Sequence, residues 1–128
     1  MIALGIDCGT QSLKTVALDG STGGIVAAAS RAYDLVGGLP PGHLEQDPHV
    51  WWEALESTVA EVLAQLGARR GEVGAIGVSG QQHGFVPLDA GSRVIRAAKL
   101  WCDTSTSPQC DELRERLGGR AAVIDLIG

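Results

Sequence analysis

The segment LGIDCGTQSLKTVALD, Leu4 to Asp19, constrains the fold of this chain more than any other. An apolar run that begins at Ile2 closes on a carboxylate, Asp7. Gly9 then opens a tight turn, and from Lys14 the chain is again rich in residues that suit a strand. Short apolar runs bounded by turn residues read as buried strands. Gly5, inside the first run, marks a place that another backbone approaches closely. The turn cluster Asp19-Gly20-Ser21-Thr22-Gly23-Gly24 leads into a third strand, Ile25 to Tyr33. Strands joined by connections this short run antiparallel, so the segment folds as a three-strand meander.

Beyond the meander the pattern changes. Leu35 to His43 carries Gly37, Gly38, Pro40, Pro41 and Gly42 and is a loop, of a composition that lines sites as readily as it makes a plain surface connection. Asp47-Pro48 starts a helix, Asp47 as N-cap and Pro48 at the first helical position. Trp51, Leu55, Val59, Val62 and Leu66 follow on one face, Trp51 and Trp52 read as packing residues, and Gly67 stands just past the end. The unbroken run from Val73 to Ser79 comes after this helix, as a central strand parallel to the first would. Gly84 to Leu88 and Val94 to Ala97, split by Asp89-Ala90-Gly91-Ser92, predict a hairpin. Ser107-Pro108 opens a second helix, with Asp111 and Glu112 in its first turn, Leu113 and Leu117 as its buried face and Gly118 at its end. The fold class is therefore α/β: a mixed sheet with an antiparallel three-strand meander followed by a parallel strand. That sheet is incomplete, because the strand at 73–79 has no later neighbour in the chain and offers an unpaired edge.

A chain of 128 residues is enough for one small domain. Its net charge of -5 argues against non-specific binding to nucleic acid or an anionic membrane. No apolar run reaches the roughly 18 residues of a membrane span, and MIALGID has neither the basic flank nor the cleavage pattern of a signal peptide. Cys8, Cys102 and Cys110 are odd in number and lack metal-ligand spacing, which fits the reducing cytoplasm.

The chemistry concentrates in Asp7-Cys8-Gly9-Thr10-Gln11-Ser12, between the first two strands. Gly9 frees the backbone to bend and to approach a ligand. Successive N–H groups in such a turn form a nest that holds an anion. Thr10, Gln11 and Ser12 add neutral donors and Lys14 a nearby cation. Asp7 would repel a phosphate unless a divalent ion lay between them, as Mg²⁺ does when carboxylates and substrate phosphates share it. The competing reading is a plain hairpin turn in which Asp7 bonds to its own backbone.

The stretch GIDCGTQSLKTVALD resembles the first phosphate loop of the sugar-kinase/actin-like ATPase superfamily, whose fold is ribonuclease H-like. EQDPHVWW at 45–52 resembles the start of the first helix in the FGGY carbohydrate kinases. IGVSGQQHG at 76–84 resembles their sugar-binding strand and loop in the form seen in xylulokinases, and AAKLWCDT at 97–104 the sugar-contacting segment that follows. The four motifs keep the family's order and cover nearly the whole chain. The family is several times longer, so residues 1–128 correspond to the N-terminal part of its first domain: phosphate turn 7–14, sugar loop 80–84, sugar-contacting segment 100–104.

The resemblance implies ATP-dependent phosphorylation of a ketopentose such as D-xylulose, with ATP and Mg²⁺ as cofactors. Asp7 would position the hydrated metal; Gly9, Thr10, Gln11, Ser12 and Lys14 would bind the phosphates; Gln82, His83 and Asp103 would bind the sugar. An ionised Asp only accepts hydrogen bonds, and polyols offer O–H donors. The family's general base, an Asp on a much later loop, would lie outside this chain. His83 also reads as a strand cap, Asp103 as a helix cap and Trp101 as a packing residue or pocket wall. Other readings remain open: a non-catalytic sugar- or nucleotide-binding module, a kinase of another polyol, or an actin-like ATPase that moves proteins, against which GQQHG and LWCDT argue. The expected partners are a small sugar and the remainder of the kinase chain, with self-association of the fragment where that remainder is missing.

Overall fold

In the computed structural model, which describes residues 1–127, the meander forms as the sequence predicts. β1 (Ile2–Cys8) pairs antiparallel with β2 (Ser12–Asp19), and β2 with β3 (Ile25–Ala32). After the loop come β4 (Glu45–Gln46) and helix α1 (Pro48–Leu66). A 3₁₀ turn, Gly67–Glu72, then feeds β5 (Val73–Gly80), which runs parallel to β1 and completes a sheet of order β3-β2-β1-β5. The expected parallel strand is thus present, and it is an edge strand rather than a central one.

α1 begins where the sequence places it: the Asp47 carboxylate accepts the His49 N–H at 3.0 Å. Gly67 caps its other end at φ 56°. The helix covers the face of the sheet that carries Ile2, Leu4, Ala17, Ala27 and Ala29, closing a core with Val62 and Leu66. Alanines on β2 and β3 leave room for the helix to lie close. The deepest line of α1 is Ala54, Thr58, Val62 and Leu66; Trp51, Leu55 and Val59 are half-buried, and Trp52 is exposed. The predicted face is therefore rotated, because a small, hydroxylated stripe meets the sheet. At its centre Thr58 donates to the Ala54 carbonyl at 2.8 Å and accepts from Thr15 at 2.8 Å.

Two expectations for the second half need correction. The hairpin keeps its turn, with the Asp89 N–H donating to Arg93 O and a single bridge between Leu88 and Val94, but its arms are not strands. Phe85 instead bridges Lys99, and β6 (Ala98–Lys99) pairs with β4. Helix α2 (Ser107–Arg116) starts at Ser107 as predicted, yet Leu113 and Leu117 are exposed. A further helix, α3 (Arg120–Ile127), follows it, and neither buries a residue against the sheet. The Gly5 expectation is also altered: a Cβ there would meet the Val16 side chain at 3.1 Å, not another backbone. No helix among the described residues is long and apolar enough to cross a membrane.

β5 is bare. Ile76 and Val78 are 64% and 74% exposed, and among the described residues β5 pairs only with β1. The edge that the sequence predicts is an apolar one.

Candidate functional site

The parallel pairing of β1 with β5 sets the site. It brings the C-terminal ends of both strands to one place, Asp7 opposite Ser79 and Cys8 opposite Gly80. Whatever follows each strand must then meet. The turn after β1 and the loop after β5 enclose a cleft of about 370 Å³, lined by Asp7, Gly9, Thr10, Gly80, Gln81, Gln82, His83 and Trp101.

Three distant segments are joined there at one atom. The Trp101 indole N–H donates to the Thr10 hydroxyl oxygen at 3.1 Å. The Thr10 hydroxyl in turn donates to the Gln81 side-chain carbonyl at 3.3 Å. The Gln81 N–H donates to the Cys8 carbonyl at 2.9 Å, extending the β1–β5 ladder into the loop. The Gln81 amide nitrogen is buried with no hydrogen-bond partner among the described residues. His83 is held at φ 61°, a left-handed conformation that costs about 1–2 kcal/mol for a residue with a Cβ. Such outliers persist where the surroundings impose them, and they concentrate at binding loops.

Asp7 is exposed, and among the described residues its carboxylate has no hydrogen-bond or ion-pair partner. The plain hairpin reading, with Asp7 bonded to its own backbone, is not what the structure shows. A free carboxylate facing a cleft suits a hydrated divalent ion. Gly9 needs no positive φ; a Cβ there would come within 3.3 Å of the Ser12 carbonyl, which accepts the Gly9 N–H at 3.0 Å. Close approach within the turn, rather than an unusual dihedral, is what calls for glycine.

The other sequence candidates fall around this cleft. Gln82 and His83 are exposed and line it. Lys14 is paired with Asp7 across β1 and β2, and both line an adjoining groove with Val16, Val78 and Ser79. Gln11 opens into a third groove, which it shares with Thr10, Tyr33 and Cys102. Ser12 contributes its carbonyl to the turn.

Asp103 is not among the residues lining the cleft, and its carboxylate is occupied. It accepts from the Leu44 N–H at 2.8 Å, from the Ser105 N–H at 3.0 Å and hydroxyl, and from the Lys99 ammonium at 3.2 Å. The Ser105 hydroxyl, the two main-chain N–H groups and Lys99 hold its carboxyl well below the usual carboxylate range. Lys99 also pairs with buried Glu45 at 3.2 Å, and Arg96 pairs with the same carboxylate. His43 lies 4.0 Å from Glu45, so His43, Glu45 and Asp103 cluster as metal ligands would. The two cations already supply the positive charge. This network fixes the segment 99–105 that carries Trp101.

Sequence reasoning missed Gln46, Tyr33 and Gln81. Gln46 is fully buried, donating to the carbonyls of Thr10 at 2.8 Å and Asp34 at 3.4 Å while accepting from the Trp51 indole N–H at 3.0 Å. The Tyr33 hydroxyl donates to the Gly9 carbonyl at 2.5 Å. The available signal was only a polar residue placed just before a helix cap and an aromatic at a strand end.

The sheet, with its tight turn at the end of β1, has the actin-like ATPase fold of sugar kinases. A xylulose kinase from Rhodospirillum rubrum superposes with a TM-score of 0.85 at 29% identity, over 92% of this chain and 24% of that one. Residues 2–125 match the FGGY family of carbohydrate kinases, N-terminal domain, and the chain belongs to that family. Among curated relatives, the xylulose kinase of Haemophilus influenzae is 40% identical over 98% of this chain and 26% of its own length. That of Streptomyces coelicolor is 38% identical over 99% of this chain and 25% of its own. The chain thus spans about a quarter of the length of these relatives.

Proposed function

We propose that residues 1–128 are the N-terminal part of a xylulose kinase, which transfers the terminal phosphoryl group of ATP to a ketopentose such as D-xylulose. The reading is supported most by the Thr10 hydroxyl, which joins the phosphate turn directly to the loop of Gln81–His83 and to the segment of Trp101. A kinase must hold its phosphate donor and its acceptor hydroxyl within bonding reach, and transfer is catalysed mainly by positioning and charge neutralisation.

In this account the Thr10 and Gln11 N–H groups bind phosphate oxygens, with Gly9, Ser12 and Lys14 shaping and charging the turn. Asp7 orients the waters of a Mg²⁺ ion, which neutralises phosphate charge when bound. Gln82 and His83 bind sugar hydroxyls. Asp103 serves the sugar site by fixing the Trp101 segment, since its own lone pairs are already taken. The proton acceptor for the sugar hydroxyl and the adenosine pocket belong to the remainder of the kinase. The fragment alone is inactive, and the whole works in the reducing cytoplasm, in keeping with three free cysteines.

A second reading is a non-catalytic sugar- or nucleotide-binding module. Coupled ATP-consumption assays with D-xylulose separate the two. The kinase reading expects sugar-dependent turnover from the complete chain and none from residues 1–128. Absence of turnover from the complete chain refutes it.

A further inference from the structure

An anion nest works only if its N–H groups point the same way, and nothing inside a short turn guarantees that. In a trans peptide the C=O of one residue and the N–H of the next point in opposite directions from a single plane. Fixing a carbonyl therefore fixes the following N–H. In the turn after β1, three successive carbonyls are each held from outside. The Gly9 carbonyl accepts the Tyr33 hydroxyl at 2.5 Å, the Thr10 carbonyl accepts the Gln46 amide at 2.8 Å, and the Gln11 carbonyl accepts the Tyr33 N–H at 3.1 Å. Neither Tyr33 nor Gln46 lines the cleft of Asp7 and His83. The N–H groups of Thr10 and Gln11 have no acceptor among the described residues.

We infer that Tyr33 and Gln46 are positioning residues for phosphate binding: by drawing the turn's carbonyls to the side away from the cleft, they present the Thr10 and Gln11 N–H groups to an anionic oxygen. This rests on the proposed phosphate-binding role of the turn. Both residues suit the task. Gln46 is fully buried with all its bonds directed, its carbonyl taking the Trp51 indole N–H, so its amide cannot turn over without leaving that donor unpaired. Burial, and after it the Cys8 thiol, push the Tyr33 hydroxyl well above the ordinary phenol range, so it remains a donor throughout the working range of pH. The clamp is made by the residue that follows β3 and by the last residue of β4, just before the α1 cap. Both thus aim the nest from outside the cleft of Asp7 and His83, Tyr33 from the neighbouring groove that it shares with Thr10 and Gln11.

The test uses the complete chain, with Mg·ADP binding by calorimetry and D-xylulose binding by the fluorescence of the cleft tryptophan. Tyr33→Phe removes one hydroxyl and keeps the Tyr33 N–H bond; Gln46→Met removes the amide at similar length; Trp51→Phe removes only the third arm of Gln46. Loss of one such hydrogen bond predicts about two- to tenfold weaker Mg·ADP binding for Tyr33→Phe and for Gln46→Met. D-Xylulose affinity stays within about twofold, and Trp51→Phe, which frees the Gln46 amide to turn over, weakens Mg·ADP binding by no more than Gln46→Met does. Unchanged ADP affinity in Tyr33→Phe overturns the inference, and so does equal weakening of both ligands, which a merely structural role would give. Should Gln46→Met not fold, Tyr33→Phe decides alone. A wild type that binds Mg·ADP without phosphorylating D-xylulose overturns the kinase reading, while the ADP comparison still decides the clamp. A wild type that binds no ADP overturns both.

Discussion

Thr10 belongs to the turn proposed to bind phosphate, yet its replacement is expected to weaken sugar binding. Thr10→Val keeps the shape of the side chain and removes the hydroxyl. Two bonds go with it, one accepted from Trp101 at 3.1 Å and one donated to Gln81 at 3.3 Å. They are not equivalent. Trp101 is 60% exposed, so water replaces its lost acceptor at little cost. Gln81 is less accessible, and its amide nitrogen already lacks a partner. Losing the carbonyl's donor as well leaves nothing to orient the side chain that begins the Gln82–His83 loop. A single neutral hydrogen bond of this kind contributes about 0.5–1.5 kcal/mol net, or about a two- to twelvefold change in affinity. Titration of D-xylulose into the complete chain, without nucleotide, reads this directly. Thr10→Ser restores the hydroxyl and should bind within about twofold of the wild type. If Thr10→Val binds the sugar as well as the wild type does, the hydroxyl does not connect the two half-sites and the reasoning fails.

Other outcomes follow from the same geometry. His83→Ala should weaken ketopentose binding by about 1–3 kcal/mol, the scale of leaving a partner unpaired; unchanged affinity across a ketopentose panel would move the sugar site elsewhere. Asp103→Ala should lower thermal stability together with sugar affinity, because it strands the Leu44 and Ser105 N–H groups, whereas loss of affinity at unchanged melting temperature would indicate direct sugar contact. The Ser21 hydroxyl, and then Arg69, hold the Asp19 carboxyl below its ordinary range. Its contribution to stability is therefore complete above the unfolded carboxylate pKa of about 4 and declines as pH falls below that. Asp19→Asn should flatten the acid limb of the stability–pH curve, and an unaltered limb would contradict the assignment. Residues 1–128 alone should self-associate through the exposed β5 edge, and a dilution-independent monomer in light scattering would refute this.

The parts of this structure that announce themselves in sequence are those with a period or a cap. β1, β2 and β3 are runs closed by turn residues, β5 is an unbroken apolar run after a helix, and α1 carries Asp47-Pro48 at its start. The tight turn between β1 and β2 was legible from Gly9 between two strand-like runs, while its proposed phosphate role rests on the family resemblance of GIDCGTQSLKTVALD. The small sheet of β4 and β6 was not legible, because two residues per strand have no period. Leu113 and Leu117 give α2 an apolar side, but sequence pattern reports amphipathicity and not whether a partner is present to cover it. Gln46 and Tyr33 were missed because burial of a polar group depends on donors and acceptors that only the fold assembles. Asp103 shows the converse, a carboxylate whose residue type suits a sugar and whose lone pairs the fold has already committed.

The measurement that bears most directly on the central claim is sugar-dependent ATP consumption by the complete chain, wild type against Asp7→Ala, at saturating Mg·ATP and D-xylulose. Asp7 faces the cleft, and its carboxylate bonds to none of the described residues, so its removal should leave the fold and the sugar affinity nearly intact. The account predicts a collapse of kcat with an almost unchanged dissociation constant for the sugar. Near-normal kcat in Asp7→Ala would contradict it, and would mean that the end of β1 does not serve the phosphates.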